Sequence, residues 1–418
     1  ATSAADITFN DTVNIQGTVV IDSNDDARDG TITFTTGIEG LDASGDNLTI
    51  EGGTAAVTLV PIGVNTALSS LTIANASTST ATITVPNIGS GAIGNVAGAG
   101  VTGAVSIGNT SAAKIVMSGN IYKTGGAVTL TTTGGTDASD IEIDFTKGAA
   151  VFIATSGDNV SLVGGDVSLA DGSHLTIDTN IADSGEANGG NISIAGGIDG
   201  SSDENLTLDA HSTGTGTITL AKVGQGEQTG ITASEINTLT ATAGGGITLG
   251  GNITTSDAND TPGVDINGDV TLSASVTITT DSGGTDGTID ISGDIDGTSG
   301  SDQDLIIDSG TANVTIGSGT GTQVIGSTVA KALNKIEINK TDGAGAETGA
   351  ITIDDIGTST TYGAGTSGTT TDAVYIGNAH TTAVVLKGTE YNFNNSVYIQ
   401  AKAAGSNDDI QIDGTSPT

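Results

Sequence analysis

Gly287-Thr288-Ile289-Asp290-Ile291, then Ile295-Asp296-Gly297, then Leu305-Ile306-Ile307-Asp308 is the stretch from which the fold can be read. Apolar and polar residues alternate in short runs, and each run stops at a cluster of Gly, Asp, Ser or Thr. Period-two alternation rich in β-branched residues marks strands with one buried face, and the clusters supply residues that tolerate turns. The pattern occurs twice more, as Gly30-Thr31-Ile32-Thr33-Phe34, Ile38-Glu39-Gly40 and Leu48-Thr49-Ile50-Glu51, and as Gly190-Asn191-Ile192-Ser193-Ile194, Ile198-Asp199-Gly200 and Leu206-Thr207-Leu208-Asp209. Each copy continues in step through Val57-Thr58-Leu59, Ile218-Thr219-Leu220 or Val314-Thr315-Ile316. Next come Leu68-Ser69-Ser70-Leu71, Ile236-Asn237-Thr238-Leu239 and Leu333-Asn334-Lys335-Ile336. These short repeats lie near residues 30–73, 190–241 and 287–338.

A longer repeat encloses this pattern: residues 83–144 recur as 351–413. Ile83-Thr84-Val85 matches Ile351-Thr352-Ile353, and Ala104-Val105-Ser106-Ile107-Gly108-Asn109 matches Ala373-Val374-Tyr375-Ile376-Gly377-Asn378. Tyr122 matches Tyr391, and Asp140-Ile141-Glu142-Ile143-Asp144 matches Asp409-Ile410-Gln411-Ile412-Asp413. The offset opens at 268 and closes at 269, so one residue is gained across the copy. Chains built this way are arrays, and arrays serve mostly as surfaces and spacers.

Core residues choose between sandwich domains and a solenoid. Immunoglobulin-like sandwiches need large core side chains, often a Trp. Here Trp is absent, Phe and Tyr number five each, and Pro only four. Val, Ile and Leu must fill thin layers, which predicts an all-β fold: residues 1–418 as one continuous parallel β-solenoid, each rung stacking aliphatics on the next. Rungs of about 20 to 25 residues rising about 4.8 Å each would give a rod on the order of 80 to 100 Å long. Ser327 to Ile338 is the most helical stretch. Its counterparts near 64–73 and 232–241 are too short and polar for a helix, so all three read as loops with at most one helical turn.

Composition narrows the function. The net charge of −38, with ten Lys and Arg against 48 acids, argues against nucleic acid and anionic membranes as partners. No apolar run approaches the length of a membrane span. Cysteine is absent, which excludes a disulfide scaffold and suits an exported protein. No signal peptide is legible before Asp6-Ile7-Thr8-Phe9.

Gly246-Ile247-Thr248-Leu249-Gly250-Gly251-Asn252-Ile253 and Gly268-Asp269-Val270-Thr271-Leu272 resemble repeats of very large bacterial exoproteins. These are the filamentous-haemagglutinin-like proteins and the β-strand-repeat proteins of surface layers and extracellular filaments. The resemblance implies a right-handed parallel β-helix outside the cell, acting in adhesion, matrix or filament assembly. The secretion-domain motifs of two-partner-secreted haemagglutinins are not seen.

Candidate chemistry is sparse. Asp25-Asp26, Asp354-Asp355 and Asp408-Asp409 are acid pairs of the kind polysaccharide-degrading β-helices use, but Asp354-Asp355 aligns with Pro86-Asn87 and Asp408-Asp409 with Ser139-Asp140. They read as turn acids, with no catalytic residues assigned. His174, His211 and His380 form no triad spacing, and Arg28 is the sole arginine. No cofactor is required on this reading; calcium is the most plausible ligand, at Asp22-Ser23-Asn24-Asp25-Asp26, Asp257-Ala258-Asn259-Asp260 or Asp265-Ile266-Asn267-Gly268-Asp269. Ala27 stands where an EF-hand needs Gly. Tyr122, Tyr375, Tyr391, Tyr398 and Phe393 gather half of the large rings into two related regions, either as local packing or as a carbohydrate stripe.

Neither end shows a capping helix. The expectation is therefore covalent continuation into further repeats or end-to-end self-association by strand pairing. The leading expectation is a non-catalytic extracellular structural protein of a filament, sheath or surface layer. An adhesin stalk binding host or glycan surfaces is the alternative, and a β-helical polysaccharide-degrading enzyme stands third.

Overall fold

The computed structural model describes residues 6–23, 29–42, 44–74, 82–91, 98–110, 114–132, 141–143, 150–181, 188–201, 203–224, 235–256, 262–281, 286–298, 303–318, 322–340, 348–360, 362–364, 374–402 and 410–412. Short strands of two to eight residues stack in parallel as a β-solenoid, and among the described residues there is no α-helix. The chain forms two compact units, Ala1–Thr217 with Gly226–Thr232, and Ile218–Gln225 with Ala233–Thr418.

The first unit winds through three parallel ladders. One joins Ile7–Phe9, Ile32–Phe34, Val57–Thr58, Thr82–Val85, Lys114–Met117, Ile141–Ile143, Val167–Leu169 and the end of Ile192–Asp199. Another joins Val13–Ile15 to Ile38–Gly40, passes as single bridges through Ile62, Ile88 and Tyr122, and continues through Ala150–Ala154, His174–Asp178 and Asn205–Asp209. The last joins Thr18–Asp22, Asn47–Glu51, Ser70–Ala74, Val105–Gly108, Val128–Thr131, Val160–Val163 and the start of Ile192–Asp199.

The second unit repeats the scheme. Its ladders run from Ile218–Val223 to Asp355–Ile356 and a bridge at Tyr391, from Val223 through Asp304–Asp308 and Lys335–Ile338 to Val397–Ile399, and from Thr238–Thr242 through Thr288–Ile291 to Ile410–Ile412.

Register explains the alternation. Leu48, Leu71, Val105, Val128, Val160 and Ile192 lie one above another and are all buried, while Thr49, Thr72, Ser106, Thr129, Ser161 and Ser193 occupy the outward positions between. Strands about 4.8 Å apart bring each methyl layer into contact with the next, so the interior is close-packed mainly by aliphatics, with Phe34 and Tyr122 as its buried rings among the described residues. Each buried Val, Leu or Ile contributes about 1.5–3 kcal/mol before ordering entropy is subtracted.

Rungs are longer and less even than the expected 20 to 25 residues. Ile7 to Ile32 takes 25 residues, Ile83 to Ile115 takes 32, and Leu71 to Val105 takes 34, because loops of different length enter between strands. Both repeats survive as geometry. Ile88 bridges Ile62 and Tyr122 as Ile356 bridges Ile325 and Tyr391, and Leu68, Val101 and Thr124 bridge as Leu333, Ala364 and Phe393 do. Gly63 and Gly326 follow equivalent bridging isoleucines with φ of 62° and 73°, and in each an added Cβ would strike the backbone of the next rung, at Gly100 or Gly363. The helical turn expected within Ser327 to Ile338 is the 3-10 turn Val329–Lys331.

Candidate functional site

Several acids and amides at the solenoid corners act alike, in that a side-chain oxygen on one rung accepts backbone N–H groups from the next. Asp6 accepts from Thr31 N (2.8 Å) and Thr31 Oγ1 (2.9 Å), and Asp286 accepts from Thr311 N and Oγ1, both at 2.6 Å. Asp29 holds Thr54 in the same way. The buried acid of the Ile-acid-Gly turn reaches further. Glu39 accepts from Asn65 N, Thr66 N and Asn65 Nδ2 at 2.9–3.0 Å, while its counterpart Asp296 accepts from Ser327 N (2.7 Å), Ser327 Oγ (2.9 Å) and Lys331 Nζ (2.8 Å). These carboxylates anchor the loops that leave the rung near 64 and 327.

Asp355 belongs to the same class. Its Oδ1 accepts from Thr389 N (2.5 Å) and Glu390 N (2.8 Å); in the first copy Asn87 Oδ1 accepts from Asn120 N (2.7 Å) and Ile121 N (3.2 Å). A neutral amide and a carboxylate thus fill one structural position. Asp25-Asp26 and Asp408-Asp409 lie outside the described residues, as do Arg28 and the Asp257 to Asp260 loop.

The histidines serve turns. His174 Nδ1 accepts from Asn205 N at 3.1 Å, His211 N donates to Asp209 Oδ1 at 2.8 Å with φ at 71°, and His380 N donates to Asn378 Oδ1 at 2.6 Å. In the Asp265 to Asp269 segment, whose first three residues belong to the strand Pro262–Asn267, Asp265 Oδ1 is taken by Asn267 Nδ2 at 2.9 Å.

The acid group with metal-ligand spacing lies where no sequence motif points. Asp171, Asp203 and Glu204 each place an oxygen within 4.8 Å of the others. Pairing of Leu175 with Leu206 brings the two turns together across a rung. Glu204 Oε1 accepts from Gly172 N (3.0 Å) and Ser201 Oγ (2.6 Å), and Oε2 from Ser201 N (2.6 Å) and Asp203 N (3.2 Å). Asp203 Oδ1 also accepts from Gly172 N, at 3.1 Å. Burial, then the neighbouring Asp203, pushes the Glu204 carboxyl up, while the hydrogen bond with Glu204 pulls Asp203 down. Three oxygens at this spacing suit a hard cation, but both oxygens of Glu204 already hold protein donors, so the cluster works first as a turn clamp.

The aromatic residues separate into two kinds. Tyr122 and Tyr391 are clamps: each hydroxyl accepts from a glycine N–H at 2.6 Å, Gly119 or Gly388, and Tyr122 also donates to Val85 O at 3.0 Å. Burial raises both phenols, that of Tyr391 to about 12. Lys123, beside Tyr122, is almost fully buried with its ammonium pKa lowered by desolvation, and its Nζ donates to Ser90 O at 3.4 Å; in the second copy Asn392 Nδ2 donates to Thr358 O. Tyr375 and Tyr398 instead lie on an outward ladder, paired in register, with ring centroids 5.7 Å apart.

No protein-family profile, curated protein or solved structure matches the chain.

One further surface stands apart. Val374, Ile376, Val384 and Leu386 are buried, yet the strands stacked on them expose Val397, Ile410 and Ile412, the last at 70%. Among the described residues no strand pairs with the far side of Val397–Ile399 or Ile410–Ile412. Among the described residues no helix is long and apolar enough to cross a membrane.

Proposed function

We propose that this chain is a non-catalytic structural repeat protein of the extracellular space, forming or belonging to a filament, sheath or surface layer through rung-on-rung strand pairing. The observation that carries the reading is the edge at Val397–Ile399 and Ile410–Ile412, where, among the described residues, Val397, Ile410 and Ile412 are exposed at inward positions that Val374, Val384 and Leu386 hold buried on the strands they stack upon. A parallel strand whose outer edge meets no described strand, beside exposed aliphatics, is the geometry that accepts another parallel strand. What fits there is a further rung, from the same polypeptide or from another copy.

Two features support the absence of catalysis on this reading. Asp6, Asp286, Glu39, Asp296 and Asp355 are engaged in holding the next rung, and Asn87 takes the place of Asp355 in the first copy while accepting the two equivalent backbone N–H groups. Extracellular placement rests on the lack of cysteine and on the acidity, which keeps long assemblies soluble by self-repulsion. The proposed assembly needs no cofactor, and calcium would act by screening the acids. The similarity to filamentous-haemagglutinin-like and surface-layer repeats belongs to the same proposal.

Negative-stain electron microscopy of the purified chain, with and without a calcium chelator, tests the reading. Long regular fibres or sheets support it; isolated particles at every concentration refute self-assembly. The adhesin alternative is favoured by one observation, the outward tyrosine pair.

A further inference from the structure

The two long-repeat copies share a backbone and an interior but differ on one outward face. In the first copy Ser106 pairs with Thr72 and Thr129; in the second Tyr375 pairs with Glu337 and Tyr398. The inward neighbours stay aliphatic, Leu71, Val105 and Val128 against Ile336, Val374 and Val397. The fold is therefore satisfied by small hydroxyl residues at these places, and the rings are additional to it.

Their setting is ordered. Lys340 Nζ sits 4.0 Å from the centre of the Tyr375 ring and also bonds Glu337, whose other oxygen takes Lys335 Nζ at 3.0 Å. Tyr375 and Tyr398 meet at an interplanar angle of 45°, and Tyr398 is 51% exposed with its hydroxyl donating to Gln400 Oε1 at 3.2 Å. The cation over one ring and the ion pair beside it limit side-chain freedom, leaving a small aromatic platform with a polar rim.

We infer that Tyr375 and Tyr398, with Lys340, form a binding platform for a neutral pyranose sugar. A stable protein partner needs about 800 Å² on each side with an apolar centre, more than two rings with a polar rim supply. Nucleic acids and acidic polysaccharides meet the repulsion of a chain with net charge −38. A pyranose presents an apolar C–H face that suits the electron-rich face of a tyrosine ring, and its hydroxyls suit Gln400, the phenols and the lysines. Outward positions stay outward when a further rung stacks, as Tyr375 does beneath the rung of Tyr398, so the platform is compatible with assembly but does not depend on it.

Affinity gel electrophoresis of the whole chain through gels containing dextran, galactomannan, xyloglucan or β-1,3-glucan tests this, with alginate as the acidic control. The expected result is retardation by at least one neutral polymer, weakened roughly tenfold in Tyr375→Ser/Tyr398→Thr, which copies the first repeat and should keep the parent circular-dichroism spectrum. The single variant Tyr398→Thr, at the more exposed ring, should lose part of the effect. Retardation by alginate alone, retardation unchanged in the double variant, or none in any neutral gel would each overturn the assignment.

Discussion

Replacing Asp355 by Asn and by Ala separates a structural acid from a chemical one. Asp355 Oδ1 accepts two backbone N–H groups, from Thr389 and Glu390, in a nearly buried corner. Alanine leaves both donors without that partner. At about 1–3 kcal/mol for each poorly satisfied group, allowing some water access, the cost is about 2–4 kcal/mol. Asparagine retains an oxygen in the same place, as Asn87 does in the first copy, so Asp355→Asn should cost under about 1 kcal/mol. Hydrogen exchange by mass spectrometry reads the effect locally: peptides carrying the Thr389 and Glu390 amides should exchange about a hundredfold faster in Asp355→Ala and within a few-fold of the parent in Asp355→Asn. Equal acceleration in both variants would show that the negative charge itself is required, and the bracket account of the corner acids would fail.

Other expectations follow from the same geometry. Leu208→Ala, in a fully buried ladder, should lower stability by about 2–5 kcal/mol in denaturant unfolding, whereas Val20→Ala, on an exposed outward position, should stay within about 0.5 kcal/mol. Tyr122→Phe should cost about 1–3 kcal/mol, since the Gly119 N–H and the Val85 carbonyl both lose a buried partner. Burial, and in several cases an adjacent aspartate, raises the carboxyls of Asp178, Asp265, Asp281, Asp294 and Asp308 above 3.8. Stability linked to these groups is fully present below the unfolded value and is lost as pH rises through the raised folded values. Thermal midpoints of the parent should therefore fall by more than those of Asp290→Asn, which removes the charge in register with Asp265, as pH rises from the ordinary aspartate value of 3.8. Equal pH dependence in the parent and in Asp290→Asn contradicts this.

The repeats were legible because inward positions tolerate little but Val, Leu and Ile. Ile83, Ile115 and Ile141 stack as Ile351, Val384 and Ile410 do, and the matched Gly-Asn turns and bridging isoleucines fall where their spacing places them. What the sequence concealed depends on loop length. Steps between stacked strand residues vary from 23 to 38, so no fixed period connects Asp171 with Asp203 and Glu204, or Glu39 with the amides of Asn65 and Thr66. The face on which a repeat begins was equally hidden. Ile32 lies on the ladder of Ile7 and Val57, but its equivalent Ile192 lies on that of Val128 and Val160, one face away, because the intervening chain does not make a whole number of turns. The aromatic residues could be found but not sorted, since only register distinguishes the clamps, buried Tyr122 and half-buried Tyr391, from the outward pair Tyr375 and Tyr398.

Hydrogen exchange at residues 397–399 and 410–412, compared between dilute chain and assembled material, tests the rung-on-rung proposal most directly. The proposal expects these strand amides to exchange readily in dispersed chains and to become as protected on assembly as those of Val374–Ile376 and Val384–Leu386. Fibres or sheets that leave both strands exchanging at the dispersed rate would place the contact elsewhere and contradict it.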